Sequence, residues 1–170
     1  FMNNGQTCIA PDYLLVHRLV SDKFLSALIA ETTRLFGDKS VVPEDSKAYG
    51  RISSNQHFKR LQQMLDEAVN ADWKLLLSGT NQASTRFFHP TILVGSKKDI
   101  QLMDEEIFGP ILPIIPVGSI AHAFTYINQR PNPLALYWFG KDKKNMRSVL
   151  QETRSGGVTI NDVLLHITVE

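Results

Sequence analysis

Leu134-Ala135-Leu136-Tyr137-Trp138-Phe139-Gly140 decides the fold, together with the segment that follows one helix later, Gly156-Gly157-Val158-Thr159-Ile160. The first is an unbroken apolar and aromatic run closed by a glycine, too short for a core helix and rich in residues that suit a buried strand. Asp142 stands where an N-cap belongs, with Met146, Val149 and Leu150 behind it at helical spacing. Strand, helix and strand make a βαβ unit, the connection that parallel neighbours require.

Upstream, the same alternation recurs without the same sequence. Tyr13 to Val16 predicts a buried strand, and Ser21 predicts the N-cap of a helix with Phe24, Leu25, Leu28, Ile29, Leu35 and Phe36 inward and Gly37 as its stop. Residues 38–52 read as a polar loop. A second helix is expected from about Ser54 to Val69, with Phe58, Leu61, Leu65, Ala68 and Val69 on one face. Leu75 to Leu77 and Thr91 to Val94 read as strands, and Ser119 as the cap of a helix carrying Ala123, Phe124 and Ile127. Ile111 to Val117 is also strand-like, but Pro113 and Pro116 have no N–H to donate, which predicts an edge or bulged position. The fold class is α/β, a largely parallel sheet flanked by helices.

Composition narrows the function classes. The 170 residues are 43% hydrophobic and 21% charged, ordinary for a globular chain of one domain with at most a small appendage. Eighteen Lys and Arg against 17 Asp and Glu leave a formal charge of +1, with no electrostatic footprint for nucleic acid. One cysteine, Cys8, allows no internal disulfide and fits a reducing compartment. No run approaches the roughly 18 apolar residues of a membrane span, and Phe1-Met2-Asn3-Asn4 has no signal-peptide character. The chain stops inside the apolar pattern Ile167-Thr168-Val169 and neither end reads as a natural terminus, so a piece of a longer protein is expected.

Two segments can carry chemistry. Cys8 lies in Asn3-Asn4-Gly5-Gln6-Thr7-Cys8-Ile9-Ala10-Pro11, where a turn or first helical turn would offer backbone N–H groups and a helix dipole that favour a thiolate and bind an oxyanion. A lone cysteine equally suits a small buried hydrophobe. Asp104-Glu105-Glu106-Ile107-Phe108-Gly109-Pro110 places a carboxylate, able to accept two ribose hydroxyls, beside an aromatic ring able to pack on a flat heterocycle. A solvated acidic turn is the alternative. The five histidines have no metal-ligand spacing, Gly156-Gly157 fits neither a P-loop nor a dinucleotide fingerprint, and no serine-hydrolase elbow occurs.

Taken as a pair, Gly5-Gln6-Thr7-Cys8 and Glu106-Ile107-Phe108-Gly109-Pro110 resemble the aldehyde dehydrogenase superfamily. Asn132-Pro133-Leu134-Ala135-Leu136 and Ser155-Gly156-Gly157-Val158-Thr159-Ile160-Asn161-Asp162 extend the resemblance in the same order. Ala10-Pro11-Asp12-Tyr13, Tyr49-Gly50-Arg51-Ile52 and Asn161-Asp162-Val163-Leu164-Leu165-His166 look most like its class 3 and fatty aldehyde branch.

The resemblance implies oxidation of an aldehyde, aliphatic and of medium to long chain, with NAD, NADP not being excluded. Cys8 matches the nucleophile, whose thiohemiacetal expels hydride to the cofactor and leaves a thioester for water to cleave. Its backbone N–H matches half the oxyanion hole. Glu106 matches the carboxylate that holds the nicotinamide ribose and Phe108 the ring beside it. Asn161 matches an asparagine near the site with a structural role; His166 and Ile167 match the aldehyde entrance, and core packing suits them equally. No metal is implied.

The resemblance makes residues 1–170 a catalytic-domain fragment. The family's upstream nucleotide-binding domain, with a second oxyanion-hole Asn and the general-base Glu of a Glu-Leu-Gly-Gly motif, is not in this sequence, nor is the glycine-rich tail that follows Asn161. A homodimer is implied for the complete protein, with an intracellular location in the cytoplasm or on the cytoplasmic face of an organelle membrane, the membrane reached only through a C-terminal anchor. The isolated chain is expected to be inactive. A competing reading is a non-catalytic remnant kept for self-association or partner binding. A cysteine acyltransferase or hydrolase would need a base near Cys8 that the spacing does not supply.

Overall fold

A computed structural model describes residues 1–36, 49–96 and 99–165. The chain groups into two compact units, Phe1–Pro116 and Val117–Glu170. The first holds a four-stranded sheet in the order β1-β4-β3-β2, with β1 at Leu14–His17, β2 at Lys74–Leu77, β3 at Thr91–Val94 and β4 at Ile111–Val117. Strands β3 and β4 are parallel, with Thr91 opposite Ile111 and Val94 opposite Ile114, whereas β2 lies antiparallel to β3 with a bulge between Leu75 and Leu77. Thr91, Ile92 and Leu93 are all buried, as a strand covered on both faces requires.

β4 corrects the expectation drawn from its prolines. It is an inner strand, paired on both sides. The Pro110 and Ile114 carbonyls accept from the Thr91 and Gly95 N–H groups, so even-numbered residues of β4 direct their polar groups to β3. Pro113 therefore takes no donor from that ladder, and Pro116 lies beyond the last β3 partner.

Helix α1, Arg18–Phe36, packs Phe24, Leu25 and Leu28 against Val16, Leu77, Ile92 and Ile114. It starts directly after β1, so Ser21 is not its cap; Ser21 is a buried interior residue, and the His17 Nδ1 accepts from the Leu19 N–H at 3.2 Å at the helix start. Leu35, expected inward, is exposed. The expected stop at Gly37 and residues 37–48 of the expected loop lie outside the described residues. The rest of that segment is not simply polar: Tyr49 and Ile52 are buried, and the Tyr49 hydroxyl donates to the Phe88 carbonyl at 2.8 Å. Helix α2, Asn55–Asn70, is capped by Ser54, whose Oγ accepts from the His57 N–H, and it buries Phe58, Leu61, Met64, Leu65 and Ala68 while Val69 stays exposed. Helix α3 is the single turn Gln101–Asp104.

In the second unit α4, Ile120–Asn128, is capped by Ser119, and α5, Lys143–Glu152, by Asp142, whose carboxylate accepts from the Lys144 and Asn145 N–H groups at 2.8 and 2.9 Å. These caps form where the sequence placed them because each satisfies orphan donors at a helix start. α5 connects β5, Ala135–Trp138, to its parallel partner β6, Gly157–Ile160. Val149 is buried between them in sequence, while Leu150 is exposed.

Candidate active site

The Cys8 segment is an irregular turn. Met2–Gly5 forms a 3-10 turn in which Asn3, Asn4 and Gly5 all take positive φ, and the Ala10 N–H returns to the Thr7 carbonyl at 2.8 Å. No helix follows Cys8, so the expected helix dipole does not act on it; what remains is the turn itself. Cys8 is exposed and the next residue, Ile9, is buried, which anchors the turn and leaves the sulfur outward. The Cys8 N–H makes no hydrogen bond to a described residue, leaving a backbone donor beside the thiol.

Side chains from a distant segment hold the turn in place. The Asn4 Nδ2 donates to the Gly50 carbonyl at 3.0 Å. Gln6 uses both ends of its amide: Nε2 donates to the Arg51 carbonyl at 3.0 Å, and Oε1 accepts from the Ser53 N–H at 2.9 Å. Asn4 is almost fully buried, at 1% exposure.

The acidic segment then meets the cysteine segment at two glycines. A Cβ added to Gly5 would lie 2.2 Å from the Gly109 carbonyl oxygen, and Gly5 itself has φ +70°. Only glycine allows the two backbones this close. The structure thus brings the segment that carries Cys8 against the Glu106–Pro110 bend, at Gly5 and Gly109, within one unit.

The adjacent acids are sorted by their partners. Glu105 accepts from the Arg60 Nη1 at 3.2 Å and the Gln101 Nε2 at 3.0 Å. Glu106 is exposed, and its carboxylate takes no hydrogen bond from a described residue. Ile107 is buried, whereas Phe108 is half-buried with φ +51°, a conformation rare for an aromatic residue. Phe108 is held there by His57, whose Nε2–H donates to the Phe108 carbonyl at 2.7 Å.

Three residues that sequence reading passed over therefore support the bend: Asp12, His57 and Arg60. The Asp12 carboxylate accepts from the Ile107 N–H at 2.9 Å. Burial pushes the Asp12 carboxyl up to about 6; the Ile107 N–H opposes this, Glu106 nearby adds to it, and Arg60 offsets part. Between about pH 4 and 6 the unfolded chain loses this proton while the folded chain keeps it, so folding weakens as pH rises through that window. Asp12→Asn, which keeps an acceptor and removes the charge, is expected to raise stability at pH 8 by about 2 kcal/mol and change it little at pH 3.5. Urea denaturation at both pH values checks this; equal effects at the two would refute it.

Asn161, in the second unit, takes φ +57°, donates its N–H to the Trp138 carbonyl at 2.7 Å and accepts from the Gly140 N–H on Oδ1 at 2.8 Å. It ties the end of β6 to the end of β5. His166 and Ile167 lie outside the described residues. Among the described residues, no helix is long and apolar enough to cross a membrane.

The profile of the aldehyde dehydrogenase family matches residues 1–169. The chain belongs to the aldehyde dehydrogenase family. It is 40% identical over 169 residues to the dimeric NADP-preferring aldehyde dehydrogenase of Canis lupus familiaris, covering 99% of this chain and 36% of that protein. With aldehyde dehydrogenase family 3 member A2 of Mus musculus it shares 43% identity, over 99% of this chain and 33% of that protein. Among solved structures, the substrate-bound AldH of Staphylococcus aureus superposes with a TM-score of 0.90 at 38% identity, covering 99% of this chain and 36% of that one. This aldehyde dehydrogenase chain therefore spans about a third of the length of the relatives it matches. The expected family and its α/β class both hold.

Proposed function

We propose that this chain is the catalytic-domain part, residues 1–170, of an enzyme that oxidises an aliphatic aldehyde of medium to long chain to its carboxylic acid with NAD or NADP. One observation carries the reading: the exposed Cys8 turn abuts, through Gly5 and Gly109, the bend that presents Glu106 and Phe108. The relatives named for aldehyde dehydrogenase activity, including NADP-preferring enzymes, support the reaction class and leave the choice of cofactor open. A homodimer is proposed for the complete protein, in line with the dimeric relative.

The residues present suit a nicotinamide nucleotide. Glu106 has both carboxylate oxygens available for ribose hydroxyls, and the fixed Phe108 ring offers an apolar face beside them. When bound, the cofactor supplies the two-electron acceptor for the carbon–hydrogen bond that breaks. Everything else falls to the protein. The Cys8 thiolate adds to the aldehyde carbon, forming a C–S bond while the C=O π electrons move to oxygen. The Cys8 N–H donates to that oxygen as its charge grows. After oxidation the acyl group remains on Cys8 as a thioester, which water cleaves to the acid and the free thiol. The family's general-base motif for that water does not occur in this sequence. Asn161 is proposed as a structural residue near the site, and His166 and Ile167 as lining for the aldehyde entrance.

The expected result is that the complete protein generates NADH or NADPH from a medium-chain aldehyde, whereas the 170-residue chain alone does not, since half its oxyanion hole and its base are missing. Absorbance at the reduced-nicotinamide band measures both. Turnover by the isolated chain that vanishes in Cys8→Ala would overturn the claim of incompleteness; no turnover by the complete protein would overturn the function.

A further inference from the structure

Three successive carbonyls of the bend are each bound by a side chain of α2. Arg60 Nη1 donates to the Glu106 carbonyl at 3.0 Å, Arg60 Nη2 donates to the Ile107 carbonyl at 2.6 Å, and the His57 Nε2–H donates to the Phe108 carbonyl at 2.7 Å. The two side chains are themselves linked, Arg60 Nε donating to the His57 Nδ1 at 3.4 Å. This linkage fixes the imidazole as the Nε2–H tautomer. Arg60 also reaches the Glu105 carboxylate and the Met64 sulfur. From the other side, Asp12 takes the Ile107 N–H.

The consequence is selective. With the carbonyls of residues 106–108 and the Ile107 N–H engaged, the Glu106 carboxylate stays exposed beside the half-buried Phe108 ring. One cation has been spent on Glu105 and the backbone, not on Glu106. That division keeps the second acid available for a neutral hydroxylated ligand. Phe108 would relax from its positive φ without a restraint on its carbonyl.

We infer that Arg60, assisted by His57, is a positioning residue that sets cofactor affinity by holding the Glu106–Phe108 bend in its binding shape without touching the cofactor. The inference rests on the proposed roles of Glu106 and Phe108. A bend that is ordered beforehand loses less freedom when the nucleotide binds, so affinity depends on Arg60 through these two residues. Lysine cannot reproduce the planar fork that reaches several acceptors at once.

The test uses the complete protein and titrates NADPH and NADH by nicotinamide fluorescence. Arg60→Gln is expected to raise the better cofactor's Kd about tenfold, and Arg60→Lys at least threefold. The rate of Cys8 alkylation by iodoacetamide, which reports that the turn is still folded, is expected to stay within about twofold of the parent in both. In a Glu106→Gln, Phe108→Ala background, adding Arg60→Gln is expected to change Kd by less than about twofold. Should Arg60→Gln not fold, the lysine variant carries the same comparison. An Arg60 effect that persists in full in that background overturns the inference, as does an unchanged Kd in both Arg60 variants. If instead the Glu106→Gln, Phe108→Ala protein binds cofactor as well as the parent, the roles assigned to the bend fail first and the inference with them.

Discussion

The complete enzyme carrying Cys8→Ala is expected to lose aldehyde oxidation by about 10⁴-fold or more, the scale on which removal of a covalent nucleophile falls. Cofactor affinity should stay within about threefold, because Glu106 and Phe108 sit on the bend and not on the turn. Cys8→Ser should be nearly as damaging, since a hydroxyl of ordinary acidity is a much poorer nucleophile than a thiolate. Cys8 is the sole cysteine of the chain and exposed, so within this segment mass spectrometry after a pulse of aldehyde and oxidised cofactor has one sulfur on which to find an acyl adduct. Residual activity of even a tenth in Cys8→Ala would mean that the reaction does not run through this sulfur. The exposed position also argues against the small-buried-hydrophobe reading of a lone cysteine.

A second large effect is expected from one methyl group. Gly5→Ala places a Cβ 2.2 Å from the Gly109 carbonyl oxygen and 2.7 Å from its carbon, at a backbone angle of φ +70°. Neither partner is a flexible side-chain end that could swing away. Gly109 is itself confined, because a Cβ there would meet Leu61, a fully buried residue of α2. Relief therefore requires the cysteine segment and the bend to separate. The expected loss is about 3 kcal/mol or more of stability, combining left-handed strain with displaced backbone. The control is Gly118→Ala, where an added Cβ meets nothing within 4 Å and less than about 0.5 kcal/mol is expected. Paired urea denaturation curves decide it. Equal stabilities for the two variants would show that the approach of Gly5 to Gly109 is not what joins the two segments.

The same geometry explains which parts of the molecule could be read without coordinates. Ser54, Ser119 and Asp142 cap helices where expected, and Leu134 to Phe139 contains a parallel strand, because caps and apolar runs act over three or four residues. The failures share one cause. Ser21 lost its cap role because α1 starts directly from β1, and Pro113 and Pro116 occupy an inner strand with their missing donors outside the β3 ladder. Both outcomes depend on what lies alongside, which a local pattern does not contain.

The site divides in the same way. Residue type made Cys8, Glu106 and Phe108 candidates, but a buried cysteine and a solvated acidic turn suited the same residues; the resemblance of the paired motifs to a family is what singled them out. Tertiary structure alone decided that Gly5 touches Gly109, that Glu105 is engaged while Glu106 is not, and that Arg60, His57 and Asp12 hold the bend from positions 47, 51 and 95 residues away in sequence. Hydrogen bonds over such separations leave no periodicity behind: each needs only a donor and an acceptor brought within about 3 Å, and that proximity is a property of the packed chain.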